Sequence, residues 1–351
     1  MKFIHIADVH LGARPDAGSA YSADRENEIW AAFRRVIELC ETEQTDLLLI
    51  AGDLFHRQPL LRELKEVDYL FRSLTRTQVV LVAGNHDYIR KNSYYRTFSW
   101  SENVHMILSG EIRFVELQSL DVAVYGLSYQ KKEMKEPLYE RIQIEDSCRY
   151  HILLAHGGDE QHLPFRGAVV DRIGFDYVAL GHIHRPKELV PDRMAYAGAL
   201  EPIDKNDQGK HGIIRGRLDE RGCKTEFVPT ALREYIHMEI EVEEEMTGFA
   251  LHSRICDEIK KRGIQNIYKI VLEGFKAPET QFDLGHMDTY GNIVEIVDHT
   301  KPAFDFVKLL VRNKDNLMGK FIESFQDAEP DSVEYEALCE GVQALLETKR
   351  G

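Results

Sequence analysis

Residues 79–87 read Val79-Val80-Leu81-Val82-Ala83-Gly84-Asn85-His86-Asp87. An unbroken apolar run of this kind marks a strand buried on both faces, as in a parallel sheet covered on either side. The run stops at a glycine and then offers an amide, an imidazole and a carboxylate where packing has no use for polar groups. Ligands of α/β sheets collect at the carboxyl ends of such strands. The stretch therefore predicts an α/β fold with a functional site at the sheet edge.

The same design recurs along the chain. Asp8-Val9-His10 follows Phe3 to Ala7, and Gly52-Asp53 follows Leu47 to Ala51. His156 follows Ile152 to Ala155 and precedes Gly157-Gly158, and Gly181-His182-Ile183-His184 follows Tyr177 to Leu180. Between these strands, Ile29, Ala32, Phe33, Val36, Ile37 and Cys40 form one amphipathic helical stripe; Leu64, Val67, Leu70, Phe71 and Leu74 form another. The opening is thus a βαβ unit. Short strands at Val104 to Leu108, Ile112 to Leu117 and Val122 to Leu127 then shift the pattern toward a mixed or antiparallel sheet.

With strands at Ala195 to Leu200, Gly212 to Leu218 and Thr225 to Val228, a first domain closes near residue 230. Alternation over Tyr235 to Val242, a helical stripe of Leu251, Ile255 and Ile259, and a strand at Ile267 to Leu272 predict a small α+β domain over 231–300. Two helices are expected in 301–351, one with Leu317, Phe321 and Phe325 and one with Tyr335, Leu338, Val342 and Leu345.

The length of 351 residues suits two domains, and 43% hydrophobic with 29% charged residues is the balance of a globular protein. No apolar run approaches the roughly 20 residues of a membrane helix. Five widely spaced cysteines without a Cys-x-x-Cys pair argue for free thiols in a reducing compartment and against a thiolate metal site. Because the first candidate ligand is residue 8, a cleaved signal peptide would remove the site, and a cytoplasmic location is expected. A net charge of −15 argues against wrapping nucleic acid unaided, so a polyanion must be drawn in by a local patch, bound metal or a partner.

Asp8, His10, Asp53, Asn85, His156, His182 and His184 together supply two carboxylates, one amide oxygen and four imidazoles. That is too many donors for one ion and fits two, sharing a carboxylate and a hydroxide. Side chains two apart on an extended segment face the same way, which brings Asp8 with His10 and His182 with His184 toward one cluster. Oxygen and nitrogen ligands without sulfur favour Mn2+, with Fe2+ or Zn2+ as alternatives. Two divalent ions with two carboxylates and a hydroxide leave about one positive charge, suited to a phosphodiester, and the neutral Asn85 preserves it. The reaction implied is metal-assisted phosphodiester hydrolysis, with His86 as donor to the leaving oxygen, His56 assisting, and Asp87 orienting His86 or capping a helix.

Taken singly, each cluster is more often structural than functional. Their recurrence after successive strands is what carries the reading. His5, His105, His151, His162, His211, His237, His252, His286 and His299 lack that context and read as core or surface histidines.

The ordered motifs Asp-x-His, Gly-Asp, Gly-Asn-His-Asp, His and Gly-His-x-His resemble those of the calcineurin-like metallophosphoesterases, over residues 1 to about 200. The resemblance implies a four-layer αββα sandwich. It also implies Asp53 as bridging ligand, with Asp8, His10 and His184 on one ion and Asn85, His156 and His182 on the other. A narrower resemblance is to the DNA double-strand-break repair exonuclease family of bacteria and archaea. It rests on Ile6-Ala7-Asp8-Val9-His10-Leu11-Gly12, Ala51-Gly52-Asp53-Leu54-Phe55-His56 and Tyr196-Ala197-Gly198-Ala199-Leu200-Glu201-Pro202. It implies catalytic helper roles for His56 and His86, a cap domain at 231–300, helices at 301–351 that dock a coiled-coil ATPase, a homodimer, and 3′ to 5′ degradation of DNA. The expected function is therefore that of the nuclease component of a DNA repair complex. The alternatives are a small-molecule phosphodiesterase, acting on nucleotides or cyclic nucleotides, and a non-catalytic adaptor.

Overall fold

The structure, a computed structural model, describes residues 1–329 and 332–348. The chain divides into two compact units, Met1–Tyr235 and Ile236–Gly351. The first unit contains strands β1 (Lys2–Ile6), β2 (Leu47–Ala51), β3 (Gln78–Val82), β4 (Val104–Ile107), β5 (Arg113–Leu117), β6 (Val122–Gly126), β7 (Tyr150–His156), β8 (Tyr177–Gly181), β9 (Lys187–Val190), β10 (Met194–Tyr196), β11 (Gly212–Asp219) and β12 (Gly222–Pro229). Its helices are α1 (Ser22–Thr42), α2 (Leu61–Arg72) and α3 (Gly167–Asp171).

The strands form two six-stranded sheets, ordered β12-β11-β1-β2-β3-β4 and β5-β6-β7-β8-β10-β9. Strands β1 to β4 run parallel, as do β6, β7, β8 and β10, while antiparallel strands close the first sheet at β11 and β12 and the second at β5 and β9. The continuous apolar runs follow from this placement. Along the first sheet Ile4, Ile6, Leu48, Ile50, Val79 and Leu81 pack under α1 and α2. The alternate residues Phe3, Leu47, Leu49, Val80 and Val82 meet Val122, Val124, Ile152, Leu154 and Ala179 of the second sheet. A strand with helices on one face and a sheet on the other has no polar side to show.

The architecture is an α/β sandwich of two sheets with helices outside, as expected. Its fourth layer is thin: Ala123, Tyr125, Leu153, Ala155, Val178 and Leu180 are covered by loop residues such as Tyr129, Tyr139 and Leu163 and by the short α3. The apolar segments at 104–117 part company. Strand β4 extends the first sheet in parallel, while β5 starts the second sheet as an antiparallel edge.

The second unit has strands β13 (Tyr235–Val242), β14 (Ile267–Lys276), β15 (Ile293–Asp298) and β16 (Lys301–Pro302), and helices α4 (Gly248–Arg262), α5 (Phe306–Arg312), α6 (Leu317–Glu323) and α7 (Val333–Glu347). Helix α4 starts where the Thr247 side chain accepts from the Ala250 N–H, and its Leu251, Ile255 and Ile259 pack on the sheet. Among the described residues three helices, not two, follow this sheet: α5 is a single short element with no buried residue, which leaves a weak sequence pattern. Residues 330, 331 and 349–351 of the expected docking segment lie outside the described residues. Among the described residues no helix is long and apolar enough to cross a membrane.

Candidate metal centre

The seven donors come from five strand ends. Asp8 and His10 follow β1, Asp53 follows β2, Asn85 follows β3, His156 ends β7, and His182 and His184 follow β8. Their convergence does not come from extended alternation. Asp8, His10, Asp53 and His182 have φ of 48°, 52°, 49° and 97°, a left-handed backbone that costs roughly 1–3 kcal/mol per non-glycine residue. β1 has already ended at Ile6, so the turn, rather than the pleat, aims Asp8 and His10 together. The loops after β1 and β2 hold this backbone, with the Asp8, His10 and Leu11 N–H groups donating to the carbonyls of Gly52, Asp53 and Leu54 at 3.2, 3.0 and 2.9 Å. A Cβ on Gly52 would lie 2.3 Å from His156 Nδ1, and one on Gly84 would lie 2.2 Å from Asp53 Oδ1, so both turns need glycine.

Asp8, His10 and His184 bring donor atoms within 4.8 Å of one another, as do Asp8, Asp53 and His156. Asn85 Oδ1 lies 2.9 Å from His156 Nε2 and 3.2 Å from His182 Nδ1. Asp53 Oδ2 stands between the groups, 4.0 Å from His10 Nε2 and 3.4 Å from His156 Nε2. Asp8, His10 and His156 are fully buried.

The ring partners show what this cluster is short of. His156 Nδ1 donates to the Ala51 carbonyl at 2.8 Å, so Nε2 is the nitrogen that faces the oxygens of Asn85 and Asp53. His184 Nδ1 donates to Asp207 Oδ2 at 3.0 Å, which turns its Nε2 lone pair toward His10 Nε2 at 3.1 Å. With His156 deprotonated at Nε2, acceptor would meet acceptor there, an arrangement that a divalent cation satisfies.

The titration of the groups expresses the same shortage. Burial raises the Asp8 carboxyl above its usual range, against the His156 imidazole. Burial also opposes charge on Asp53, but His156 and His10 hold that carboxyl well below the usual range. Against its own burial, His156 is raised to about 9 by Asp53, and His184 to about 9 by Asp207. Burial takes His10 well below its ordinary value and, with His156, takes His182 down to about 4. Two carboxylates and four imidazoles compete for protons in a dry space.

His86 and His56 lie beside this cluster. Their ring centroids are 4.8 and 5.3 Å from that of His10. His86 Nδ1 donates to the His56 carbonyl at 3.1 Å, leaving Nε2 uncommitted, and the His86 N–H donates to Asp53 Oδ1 at 2.9 Å. Asp87 does not serve as expected. Its carboxylate accepts from the Gly84 N–H (2.9 Å), the Phe55 N–H (3.2 Å) and Tyr95 Oη (2.8 Å), and it neither reaches His86 nor caps a helix. It ties the turn after β3 to the loop after β2. With Asp53 nearby, burial raises its carboxyl to about 7.

Two carboxylates were not legible as site residues. Asp159 Oδ2 lies 2.6 Å from His182 Nε2, and Asp207 lies against His184. Asp159 follows the Gly157-Gly158 turn, which is the one local hint; Asp207 sits in a polar loop that carries no signal. His162, read as a core or surface residue, joins the edge of the site: its Nδ1 donates to Asp159 Oδ1 at 2.8 Å and its ring lies 4.4 Å from that of His182.

A family model described as calcineurin-like phosphoesterase matches residues 1–186. An uncharacterized metallophosphoesterase, YhaO of Bacillus subtilis, is 27% identical over 303 residues, covering 80% of this chain and 73% of that protein. DNA double-strand break repair proteins named Mre11 are also similar. That of Methanocaldococcus jannaschii is 30% identical, with 59% of this chain and 58% of its own length covered. That of Aeropyrum pernix is 31% identical, with 58% and 54% covered. The chain thus spans little more than half the length of these two archaeal relatives.

Proposed function

The chain belongs to the calcineurin-like phosphoesterase family, and from that premise we propose that it is a dinuclear-metal nuclease that hydrolyses DNA phosphodiester bonds. The observation that carries the reading is the convergence of seven oxygen and nitrogen donors from both sheets, with Asp53 between the two groups. In this reading Asp8, His10 and His184 would hold one ion and Asn85, His156 and His182 the other, with Asp53 shared between them. Mn2+ is the ion that suits this donor set best, in keeping with its lack of sulfur. When bound, such ions would lower the pKa of water to supply hydroxide, and would offer a positive field to the phosphate.

The chain's own residues do the rest. The His86 ring, held through Nδ1, directs Nε2 at the leaving oxygen, and as the imidazolium it donates the Nε2 proton there, ending as the neutral ring protonated at Nδ1. His56 packs against both His86 and His10, with ring centroids 5.0 and 5.3 Å away, and fixes the direction of that donation. Asp87 keeps the two ligand loops in register through its three hydrogen bonds.

DNA as substrate is supported by the Mre11 relatives and by the Asp53-Leu54-Phe55-His56 and Gly198-Ala199-Leu200-Glu201-Pro202 motifs. A coiled-coil ATPase partner, a homodimer and a cytoplasmic location belong to the same proposal, as the resemblance of the motifs implies. Val307 and Val311 on α5, and Leu317 and Val333 at the starts of α6 and α7, are at least 70% exposed and suit a docking surface for that ATPase. A domain boundary near 230, with a cap at 231–300, fits this arrangement. The net charge of −15 favours a second reading, a phosphodiesterase of small nucleotides on the same centre. The test is the purified chain with Mn2+ on linear double-stranded DNA and, in parallel, on a cyclic nucleotide. Loss of DNA ends supports the nuclease; turnover of the cyclic nucleotide alone refutes it.

A further inference from the structure

His182 and His184 stand two residues apart, yet carboxylates grip them on opposite ring nitrogens. Asp207 Oδ2 lies 3.0 Å from Nδ1 of His184, and Asp159 Oδ2 lies 2.6 Å from Nε2 of His182. We propose that Asp207 and Asp159 are positioning residues that set which nitrogen each histidine presents, Nε2 from His184 and Nδ1 from His182.

A neutral imidazole carries one N–H, and an ionised carboxylate can only accept. The ring proton therefore sits on the nitrogen that faces the carboxylate, and the lone pair sits on the other. Those other nitrogens are the ones that point into the centre: His184 Nε2 lies 3.1 Å from His10 Nε2, and His182 Nδ1 lies 3.2 Å from Asn85 Oδ1. Metal-binding histidines are commonly oriented in this way by a partner outside the ligand set. Here the two partners impose opposite tautomers within one Gly-His-Ile-His turn.

The carboxylates are themselves held. Asp207 accepts from the Ile203 and Asp204 N–H groups at 3.0 and 3.1 Å, and its side chain is 11% exposed. Asp159 accepts from the Gln161 and His162 N–H groups at 2.8 and 3.0 Å and from the His162 ring, but its side chain is 45% exposed. The more buried contact is the stronger director, because water competes less for it. Asp207 therefore controls its histidine more tightly than Asp159 does.

The proposal rests on the dinuclear reading, and the experiment separates the two. Full-length protein labelled with 15N in its histidines is measured metal-free by long-range 1H–15N correlation at a pH above the value of about 9 to which Asp207 raises His184, so that the ring is neutral, and Mn2+ binding is followed by calorimetry, for the parent and for Asp207→Ala, Asp207→Asn and Asp159→Ala. The expected parent spectrum has His184 protonated at Nδ1 and His182 at Nε2. Asp207→Ala should mix the His184 tautomers and weaken one binding event by about 10–100-fold. Asp207→Asn, whose amide oxygen still accepts the Nδ1 proton, should restore the tautomer and most of the affinity. Asp159→Ala should mix the His182 tautomers with a smaller loss, and it remains informative if Asp207→Ala does not fold. A purely structural role would lower melting temperature and leave the tautomers as they were. Unchanged tautomers and affinity within twofold would overturn the proposal. A parent that binds fewer than two ions would instead overturn the dinuclear reading, while the metal-free spectra still judge the carboxylates.

Discussion

Gly84→Ala is a one-carbon change with a calculable consequence. Gly84 is not among the left-handed glycines, so its backbone accepts alanine. The added Cβ, however, would stand 2.2 Å from Asp53 Oδ1 and 2.7 Å from the Asp53 backbone nitrogen. To restore even a 3.0 Å contact the Asp53 oxygen must retreat by about 0.8 Å, and the backbone nitrogen cannot swing aside as a side chain can. Misplacing a reacting group by about 1 Å lowers rate on the order of 100-fold. Overpacking of this sort costs about 1–3 kcal/mol of stability. The expected result is kcat on bis(p-nitrophenyl) phosphate with Mn2+ reduced about 100-fold, in a protein that still melts cooperatively. Activity within threefold of the parent would show that Asp53 does not need its present position, and the bridging role would fall.

Other outcomes follow from single side chains. His86→Ala should lower kcat by about 100- to 10,000-fold while leaving Mn2+ binding intact, the pattern of a lost proton donor; full activity would remove that role from His86. Asn85→Asp adds a charge that cancels the net positive centre, so Mn2+ should bind more tightly while kcat falls at least about tenfold, or about 1.4 kcal/mol of transition-state stabilisation. Burial pushes the Glu201 carboxyl up to about 7, against the Leu232 N–H and Arg25. The folded chain thus holds this proton more firmly than an unfolded one, whose glutamates titrate near about 4.3. The stabilisation is complete below that pH and is lost as pH rises through about 7. Glu201→Gln should accordingly flatten the fall of melting temperature between about pH 5 and about pH 8; a slope equal to the parent's would show that Glu201 titrates normally.

The parallel strands were legible because burial on both faces erases polar alternation, leaving Leu47 to Ala51 and Val79 to Ala83 as unmistakable runs. Polar groups placed directly after such runs had few structural explanations, and the structure gathers all seven donors at one place. What could not be read was conformation and partnership. Nothing in Asp8-Val9-His10 announces a left-handed turn, because the strain there is met by hydrogen bonds to Gly52, Asp53 and Leu54 from a different part of the chain. Asp207 meets His184 across 23 residues and Asp159 meets His182 across the same separation, contacts that no local spacing encodes. Asp87 illustrates the opposite error: proximity in sequence to His86 suggested a partnership, while the fold spends its carboxylate on Gly84, Phe55 and Tyr95.

Two ions held by these donors, with Asp53 between them, would be a magnetically coupled pair. The most direct measurement is the manganese content of the reconstituted and dialysed chain, taken together with its electron paramagnetic resonance spectrum. Two Mn2+ per chain are expected, with the spectrum of an exchange-coupled pair that collapses in Asp53→Asn. One ion per chain, or two with the spectrum of isolated Mn2+, would contradict it.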